Sequence, residues 1–510
     1  MIQPQVFLVG AGPGSAGLLT LRAVECLARA DLVIYDRLVP RRALEYASPD
    51  AELVAVADIP GSHPQRAPQV LQLMMEAARV GKCVVRLKGG DPFLFGRGAE
   101  EAAALRAAGI SYEIVPGVTA ALGAAACTGI PLTHRQYASA VAFVTGHEAG
   151  KPHSALDWQA LAHFPGTLVV YMGLSRVGQT VQALRDHGMS PETPAAAVHC
   201  ATTGMQRTVE APLGRLEAAV QAAGLTSPTL LIVGSVVALR AQLAWFERRP
   251  LFGRRILVTR PRQQAGELAQ RLEELGAVAQ LLPAIEVREP ADWGPVDRAL
   301  ERLASFDWLV FTSGHGVHAL IRRLRQRGRD LRALGGVRLA AIGPATADAL
   351  RGYQLEPDLV PAEYRSESLA AALKERTAGQ RVLLARADRG RDLLRQELAA
   401  VAEVEQVAVY SQVDAIDASA SALEALRRGE IDFITLTSSN IARALLRALD
   451  EPSRERIKKG EVKLVSISPV TSAAVQELGF PVAVEATEYT TAGLVAALVR
   501  FVRAESAGLV

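Results

Sequence analysis

The sequence predicts an α/β protein of two similar halves, and three observations carry that prediction. Short β-branched or Leu-rich runs alternate with Ala/Leu/Arg stretches at helical spacing along the whole chain. A stretch punctuated by Pro and Gly, Trp245-Phe-Glu-Arg-Arg-Pro-Leu-Phe-Gly-Arg-Arg255, divides the 510 residues into blocks of about equal length. The second block repeats itself. Trp308–Ser313 followed by Gly316–Ile321 returns as Phe433–Ser438 followed by Asn440–Leu445, and Ala341–Ala347 returns as Ser466–Ser472.

In chain order, Val6–Val9 opens as a strand. Leu18–Ala30 reads as a helix with Leu21, Val24, Leu27 and Ala28 on one face. Leu32–Tyr35, Val84–Leu87, Tyr112–Val115, Val141–Thr145, Leu168–Tyr171 and Leu230–Val233 are further strands, and Ile256–Thr259 opens the second block. This alternation predicts mainly parallel sheets covered by helices. Each repeated element of the second block is a strand, a Ser/Thr-rich turn, then a helix. Such a turn either caps its helix or offers backbone N–H groups to an anion. Four of them in matched pairs predict two lobes facing one another across a cleft.

Composition narrows the function. With 49% hydrophobic and 21% charged residues, the chain is neither disordered nor fibrous. A net charge of +3, from 56 basic and 53 acidic residues, argues against a general nucleic-acid or membrane surface. The basic set is 49 Arg and 7 Lys, which reflects either base composition or recognition of carboxylates or phosphates. Cys26, Cys83, Cys127 and Cys200 form no C-x-x-C pair and read as reduced thiols of a cytoplasmic protein. With His134 and His147 they make no metal-ligand pattern, so no metal is expected. The start has no basic signal-like region, and runs such as Leu230–Leu239 are about half the ~20 residues that span a bilayer.

Three glycine-containing turns follow strands in the first block: Gly10-Ala-Gly-Pro-Gly14, Gly89-Gly-Asp-Pro92 and Val115-Pro-Gly-Val-Thr-Ala120. They should converge where open α/β sheets bind ligands. The first is not the dinucleotide fingerprint, because the third glycine of G-x-G-x-x-G is replaced by Ser15. These runs, with Asp31–Val39, Arg86–Gly98, Gly129–Arg135, Val144–His147 and Tyr171–Gly173, resemble uroporphyrinogen-III C-methyltransferase from about residue 5 to 246.

The resemblance implies two α/β lobes, about 1–116 and 117–246, with S-adenosyl-L-methionine between them. It implies transfer of two methyl groups to uroporphyrinogen III, giving precorrin-2. It places Pro13, Gly89, Gly90, Asp91, Leu94, Thr119, Ala120, Met172 and Ala201 against the cofactor, Ala201 standing where the family often has glycine. Asp36 aligns with the family's catalytic base; read without the resemblance, it is a helix cap or loop ion pair. Arg37, Arg97 and Arg135 are candidates to grip substrate carboxylates. One departure stands out: Asp58 occupies the position of a lysine thought to donate a proton in the family. Either Asp58 sits away from the anionic substrate, or methylation here is slow or altered.

After a linker at 247–254, the chain resembles uroporphyrinogen-III synthase from about 254 to 506. The motifs are Ile256–Arg262, Phe311–Ser313, Ala341–Thr346, Leu383–Arg391, Val407–Tyr410, Leu436–Asn440 and Ser468–Thr471. In the last of these, Ser468 replaces the glycine of Ile342-Gly343-Pro344. The resemblance implies one lobe from 255–287 with 413–506, another from 292–410, and a two-stranded link. It implies cofactor-free closure of hydroxymethylbilane, with loss of water and inversion of ring D. A substrate with eight carboxylates calls for anion contacts. Arg260, Arg262, Arg386, Arg389 and Arg391 are candidates, with the hydroxyls of Thr312, Ser313, Thr346, Ser438, Ser439 and Thr471. Tyr410 aligns with a tyrosine proposed to assist departure of the substrate hydroxyl. The other reading is a strand-end tyrosine filling space between lobes.

The combined expectation is a bifunctional enzyme of sirohaem or cobalamin synthesis, homodimeric through its first half. No third block remains for a dehydrogenase or chelatase, so precorrin-2 should pass to a separate dehydrogenase or to further methyltransferases. The alternatives are a nicotinamide oxidoreductase, opposed by the broken fingerprint, a second half that only binds tetrapyrroles, and an active synthase beside a methyltransferase impaired by Asp58.

Overall fold

The computed structural model describes residues 5–60, 63–146, 156–417 and 420–508. The chain divides into two compact units, Met1–Arg254 with Leu272–Val278, and Arg255–Arg271 with Ala279–Val510. His147 lies outside the described residues.

The first unit holds two five-stranded sheets. Strands β1 (Val6–Gly10), β2 (Leu32–Tyr35), β3 (Glu52–Ala55), β4 (Val84–Lys88) and β5 (Tyr112–Val115) run in the order β3-β2-β4-β1-β5. Every pairing is parallel. β1 is buried along its whole length, as a strand covered by helices on both faces must be. The helix before β2 is shorter than its apolar pattern predicts. Leu19 is extended, Thr20 accepts a capping bond from Ala23 N, and the helix runs Leu21–Ala28. Its buried face is Ala23, Cys26 and Leu27, whereas Leu21 is 85% exposed and Ala28 is also exposed. Ala23 and Leu27 lie four residues apart, one turn above the other, with Cys26 beside them, and this face is offset from the predicted one.

The second sheet comprises β6 (Val141–Thr145), β7 (Thr167–Tyr171), β8 (Pro194–His199), β9 (Arg207–Pro212) and β10 (Thr229–Val233), in the order β6-β7-β10-β8-β9. Only β6 and β7 are parallel; β10 is antiparallel to β7 and β8, and β8 to β9. The expectation of mainly parallel sheets therefore fails here. β8 and β9 form a hairpin, and a direct hairpin connection forces antiparallel pairing.

In the second unit β11 (Arg255–Val258) and β12 (Val278–Leu281) join one sheet. β13 (Ile285–Arg288), β14 (Trp308–Phe311), β15 (Arg338–Ala341), β16 (Arg381–Ala387) and β17 (Glu403–Asp414) form another. β18 (Phe433–Leu436), β19 (Lys463–Ser466) and β20 (Val484–Glu485) return to the first, in the order β12-β11-β18-β19-β20. β13 pairs antiparallel with the end of β17, from Ile285 opposite Asp414 to Arg288 opposite Ser411, and these two segments link the lobes. Apolar side chains from Leu309, Phe311, Leu320 and Leu383 fill one core, and from Leu257, Ile434, Leu445 and Leu464 the other.

Candidate active sites

The loops after β1, β4 and β5 meet. Gly12 N donates to Gly90 O at 3.2 Å, and Gly90 N donates to Gly12 O at 2.8 Å. A Cβ on Gly117 would lie 2.1 Å from Gly90 O and 2.8 Å from Gly10 Cα, so only glycine permits this approach. Asp91 braces the second loop against the third: Oδ2 accepts from Gly117 N at 3.0 Å and Oδ1 from Phe93 N at 2.8 Å.

Facing these loops are turns of the second lobe. A Cβ on Gly123 would strike Pro13 Cγ at 2.5 Å, and Ser15 N donates to Thr202 Oγ1 at 3.1 Å. Leu94, Ala120 and Ala201 pack on one apolar cluster with Tyr171. The Tyr171 hydroxyl lies 2.7 Å from Thr119 Oγ1 and accepts from Ala121 N at 3.0 Å. Met172, Cys200 and Thr202 hold left-handed backbone at φ 54°, 45° and 71°, strain of the kind that collects at ligand-binding turns. Pro13, Gly89, Gly90, Asp91, Leu94, Thr119, Ala120, Met172 and Ala201 thus come together around the junction of the two lobes.

Asp36 stands just past β2, with its backbone N–H bonded to Leu87 O at 3.2 Å. Its Oδ1 accepts from Arg86 Nη2 at 2.6 Å, so it is an ion pair as well as a candidate base. Arg86 and Lys88 are buried cations on β4, and both donate to Glu101 Oε1, at 3.2 and 3.1 Å. Burial and the neighbouring Arg86 charge pull the Lys88 ammonium below the ordinary lysine range. The sequence reading missed this cluster. Its only signal was two cations inside an otherwise apolar strand.

Arg37 and Arg135 are exposed, whereas Arg97 pairs with Glu100 at 2.7 Å. Asp58 is exposed on the turn Val56–Asp58 after β3, which lies beside β2. His134 serves its own loop, its Nδ1 accepting from Gln136 N at 3.2 Å.

In the second unit the repeated turns sit at the C-terminal ends of parallel strands, the ligand-binding edge of such sheets. Three of the four turns are side-chain caps: Ser313 Oγ accepts from Gly316 N, Ser438 Oγ from Ile441 N and Ser468 Oγ from Thr471 N. The Gly343/Ser468 difference has a packing origin. Both residues are extended at φ −175° and −164°, so neither needs glycine for its backbone. A Cβ on Gly343, however, would lie 2.9 Å from Tyr364 Cβ. Thr346 and Thr471 are buried, with Thr471 Oγ1 3.2 Å from Ser468 Oγ, and Ser439 Oγ donates to Val470 O at 3.1 Å. Thr312 is half-buried at the same edge.

The arginines divide into three groups. Arg389 pairs with Asp414 at 2.7 Å and Arg391 with Glu367 at 2.5 Å, so their charges are already answered. Arg262 is exposed. Arg260 donates to Thr491 Oγ1 and Gln264 Oε1, with its buried Nε unpartnered among the described residues. Arg386 is buried and donates to Arg391 O at 2.8 Å; a Cβ on Gly390 would collide with its Nη2 at 2.2 Å.

Tyr410 adjoins this group. Its hydroxyl lies 3.0 Å from Ser313 Oγ, and burial pushes the phenol above the usual tyrosine value of 10.0. Beside it is a residue that sequence reasoning missed, His315, whose ring centroid is 5.9 Å from that of Tyr410. Gln264 Nε2 donates to His315 Nδ1 at 2.8 Å, so the ring proton sits on Nε2, 3.2 Å from Gln263 Oε1. Burial, His318 and Arg260 lower its pKa and keep the ring neutral near pH 7. The Gln264–His315 bond joins the two lobes of this unit, a proximity that spacing along the chain does not reveal.

Two family models match successive parts of the chain. Residues 5–217 match the family of tetrapyrrole (corrin/porphyrin) methylases, and residues 266–496 match uroporphyrinogen-III synthase HemD. The porphyrin biosynthesis protein HemD of Ruminiclostridium josui is 34% identical over 451 residues, covering 88% of this chain and 89% of that protein. The uroporphyrinogen-III C-methyltransferase of Bacillus subtilis is 37% identical over 361 residues, 69% of this chain and 73% of that one. The chain spans about half the length of the siroheme synthases it matches; the Chromobacterium violaceum protein is 51% identical over 48% of this chain and 52% of its own. The uroporphyrin-III C-methyl transferase of Thermus thermophilus, solved with S-adenyl homocysteine, is 40% identical over 46% of this chain and 99% of that chain, with a TM-score of 0.40. The chain therefore belongs to a family of porphyrin-biosynthesis proteins in which a tetrapyrrole methylase half precedes a uroporphyrinogen-III synthase half.

Proposed function

We propose that the second half cyclises hydroxymethylbilane to uroporphyrinogen III and that the first half methylates it twice, giving precorrin-2 for sirohaem or cobalamin. What supports the methylation reading is the meeting of three glycine loops with the Thr119–Tyr171 wall, beside a carboxylate at the end of β2. The glycine cradle fits S-adenosyl-L-methionine, because loops without side chains let main-chain groups approach a ligand. When bound, it supplies an electrophilic methyl group. The loops hold the reactants in line, an effect that contributes about 7–11 kcal/mol in well-oriented reactions. Asp36 accepts the proton that leaves the methylated pyrrole, a contribution of about 10²–10⁴-fold. Arg37 and Arg135, exposed in the same lobes, bind substrate carboxylates.

In the synthase half Ser313 Oγ accepts from Gly316 N and lies 3.0 Å from Tyr410 Oη, and this reading takes Ser313 as the donor of that second bond. That leaves the phenolic proton to donate to the departing substrate hydroxyl. The raised pKa keeps Tyr410 neutral, which suits a polyanionic substrate. Arg260, half-buried, and Arg386, buried, have no carboxylate in hydrogen-bond contact among the described residues and draw the acidic side chains of the bilane toward this edge. The same reading carries a cytoplasmic homodimer whose precorrin-2 is consumed by a separate dehydrogenase or methyltransferases.

Two assays test the reading. Uroporphyrinogen III with methyl-labelled S-adenosyl-L-methionine, kept anaerobic, should give a labelled dimethylated product; absence of label refutes the first half. Hydroxymethylbilane alone should give the III isomer; formation of only the I isomer refutes the second.

A further inference from the structure

Asp36 is the open end of a chain of four charges. From Asp36 the chain passes to Arg86 at 2.6 Å, then through Glu101 Oε1 at 3.2 Å to Lys88 at 3.1 Å. Side-chain exposure is 5% at Arg86 and Lys88 and 17% at Glu101, against 33% at Asp36, so Asp36 is the most open of the four. Arg86 is fixed in plane as well, since Nη1 donates to Ile34 O at 3.4 Å and Leu87 O at 3.2 Å. Glu101 holds both cations through one oxygen, and its Oε2 is buried with no partner among the described residues.

Stability alone does not explain this arrangement. Val84, Val85 and Leu87 fill the rest of β4, and apolar residues at 86 and 88 would avoid desolvating two cations. The two cations and two carboxylates cancel, so the net effect of the cluster is directional. Each bond restrains the next, and the last restrains Asp36. The charged groups facing Lys88 are Arg86, Glu101 and Asp36; the first lowers its pKa and the other two raise it, with burial the largest influence.

We propose that Arg86, Glu101 and Lys88 are positioning residues for methyl transfer: Glu101, neutralised by Lys88, locks Arg86, and Arg86 holds Asp36 by Oδ1 so that Oδ2 receives the substrate proton. This rests on the reading of Asp36 as the base.

The test uses the full chain and steady-state methyl transfer to uroporphyrinogen III. Arg86→Met should lower kcat by about 10²-fold, the scale of a 1 Å misplacement, with KM for S-adenosyl-L-methionine within threefold. Arg86→Lys, which restores a cation, should recover at least a tenth of the lost rate. The near-isosteric Glu101→Gln removes a charge that raises the Lys88 pKa, so the alkaline fall of kcat should move to lower pH. Cyclisation of hydroxymethylbilane reports that each variant is folded in its second unit, and S-adenosylhomocysteine binding reports the first. Arg86→Met at full rate with Asp36→Asn slow overturns the positioning role alone. Loss of kcat and KM together, with no recovery in Arg86→Lys and no pH shift in Glu101→Gln, overturns it as well. Asp36→Asn at full rate removes the base reading and this proposal with it.

Discussion

Replacing Gly117 by Ala tests the glycine cradle at one atom. The added methyl would sit 2.1 Å from Gly90 O and 2.8 Å from Gly10 Cα, so both neighbours are backbone and no side chain can swing aside. Relief requires the loops after β1, β4 and β5 to part by about 1 Å, a degree of overpacking that costs about 1–3 kcal/mol. If that strain falls on the bound geometry, affinity drops by about 5- to 150-fold. Gly17→Ala is the matched control, because its new Cβ would meet only Ser15 Oγ, at 3.6 Å. Titration calorimetry with S-adenosylhomocysteine reads both variants. Cyclisation of hydroxymethylbilane, the activity proposed for the other unit, should be unchanged in each. Binding by Gly117→Ala within twofold of wild type would refute the claim that these loops cradle the ligand.

Tyr410→Phe removes the phenolic donor and its bond to Ser313, and should slow formation of the III isomer while spontaneous closure to the I isomer continues, read by chromatography of the oxidised products. The same substitution has a pH signature. A phenol whose pKa is raised by folding contributes stability that is complete below 10.0 and lost as pH climbs through the raised value. The stability gap between wild type and Tyr410→Phe should therefore narrow above pH 10 in alkaline unfolding curves. Burial pushes Cys26 and Cys127 up to about 11 from 9.0, which lowers their thiolate fraction near pH 8 by about 100-fold. Both should resist a thiol reagent until denaturant is added. Gly343→Ala should lower the melting temperature, since the new methyl meets Tyr364 Cβ at 2.9 Å, whereas Ser468→Gly should cost only a few tenths of a kcal/mol by weakening a cap.

What the sequence made legible follows from local physics. The three glycine loops were visible because close backbone approach leaves no substitute for glycine, and Gly10, Gly90 and Gly117 do meet. The paired turns at Ser313 and Ser438 were visible because capping is a property of adjacent residues. The hairpin of β8 and β9 was not. Pro194–His199 is rich in alanine, which carries little strand preference, and its partner is identified only by the fold. Arg86, Lys88 and Glu101 were hidden for a related reason. Charges in a strand read as outward-facing until a helix across the sheet supplies the carboxylate. Arg389 and Arg391 looked like free anion contacts, yet Asp414 and Glu367 answer them from distant segments. Asp58 departs from the family's pattern in charge, and its exposed place on the turn after β3 was not readable from alignment.

The central claim is that one chain builds uroporphyrinogen III and then methylates it. The most direct measurement is a single anaerobic reaction of the full chain with hydroxymethylbilane and methyl-labelled S-adenosyl-L-methionine, followed by mass spectrometry. The account predicts a tetrapyrrole of the III isomer carrying two labelled methyl groups, with no added enzyme. Unmethylated uroporphyrinogen III as the sole product, or only the I isomer, would contradict it.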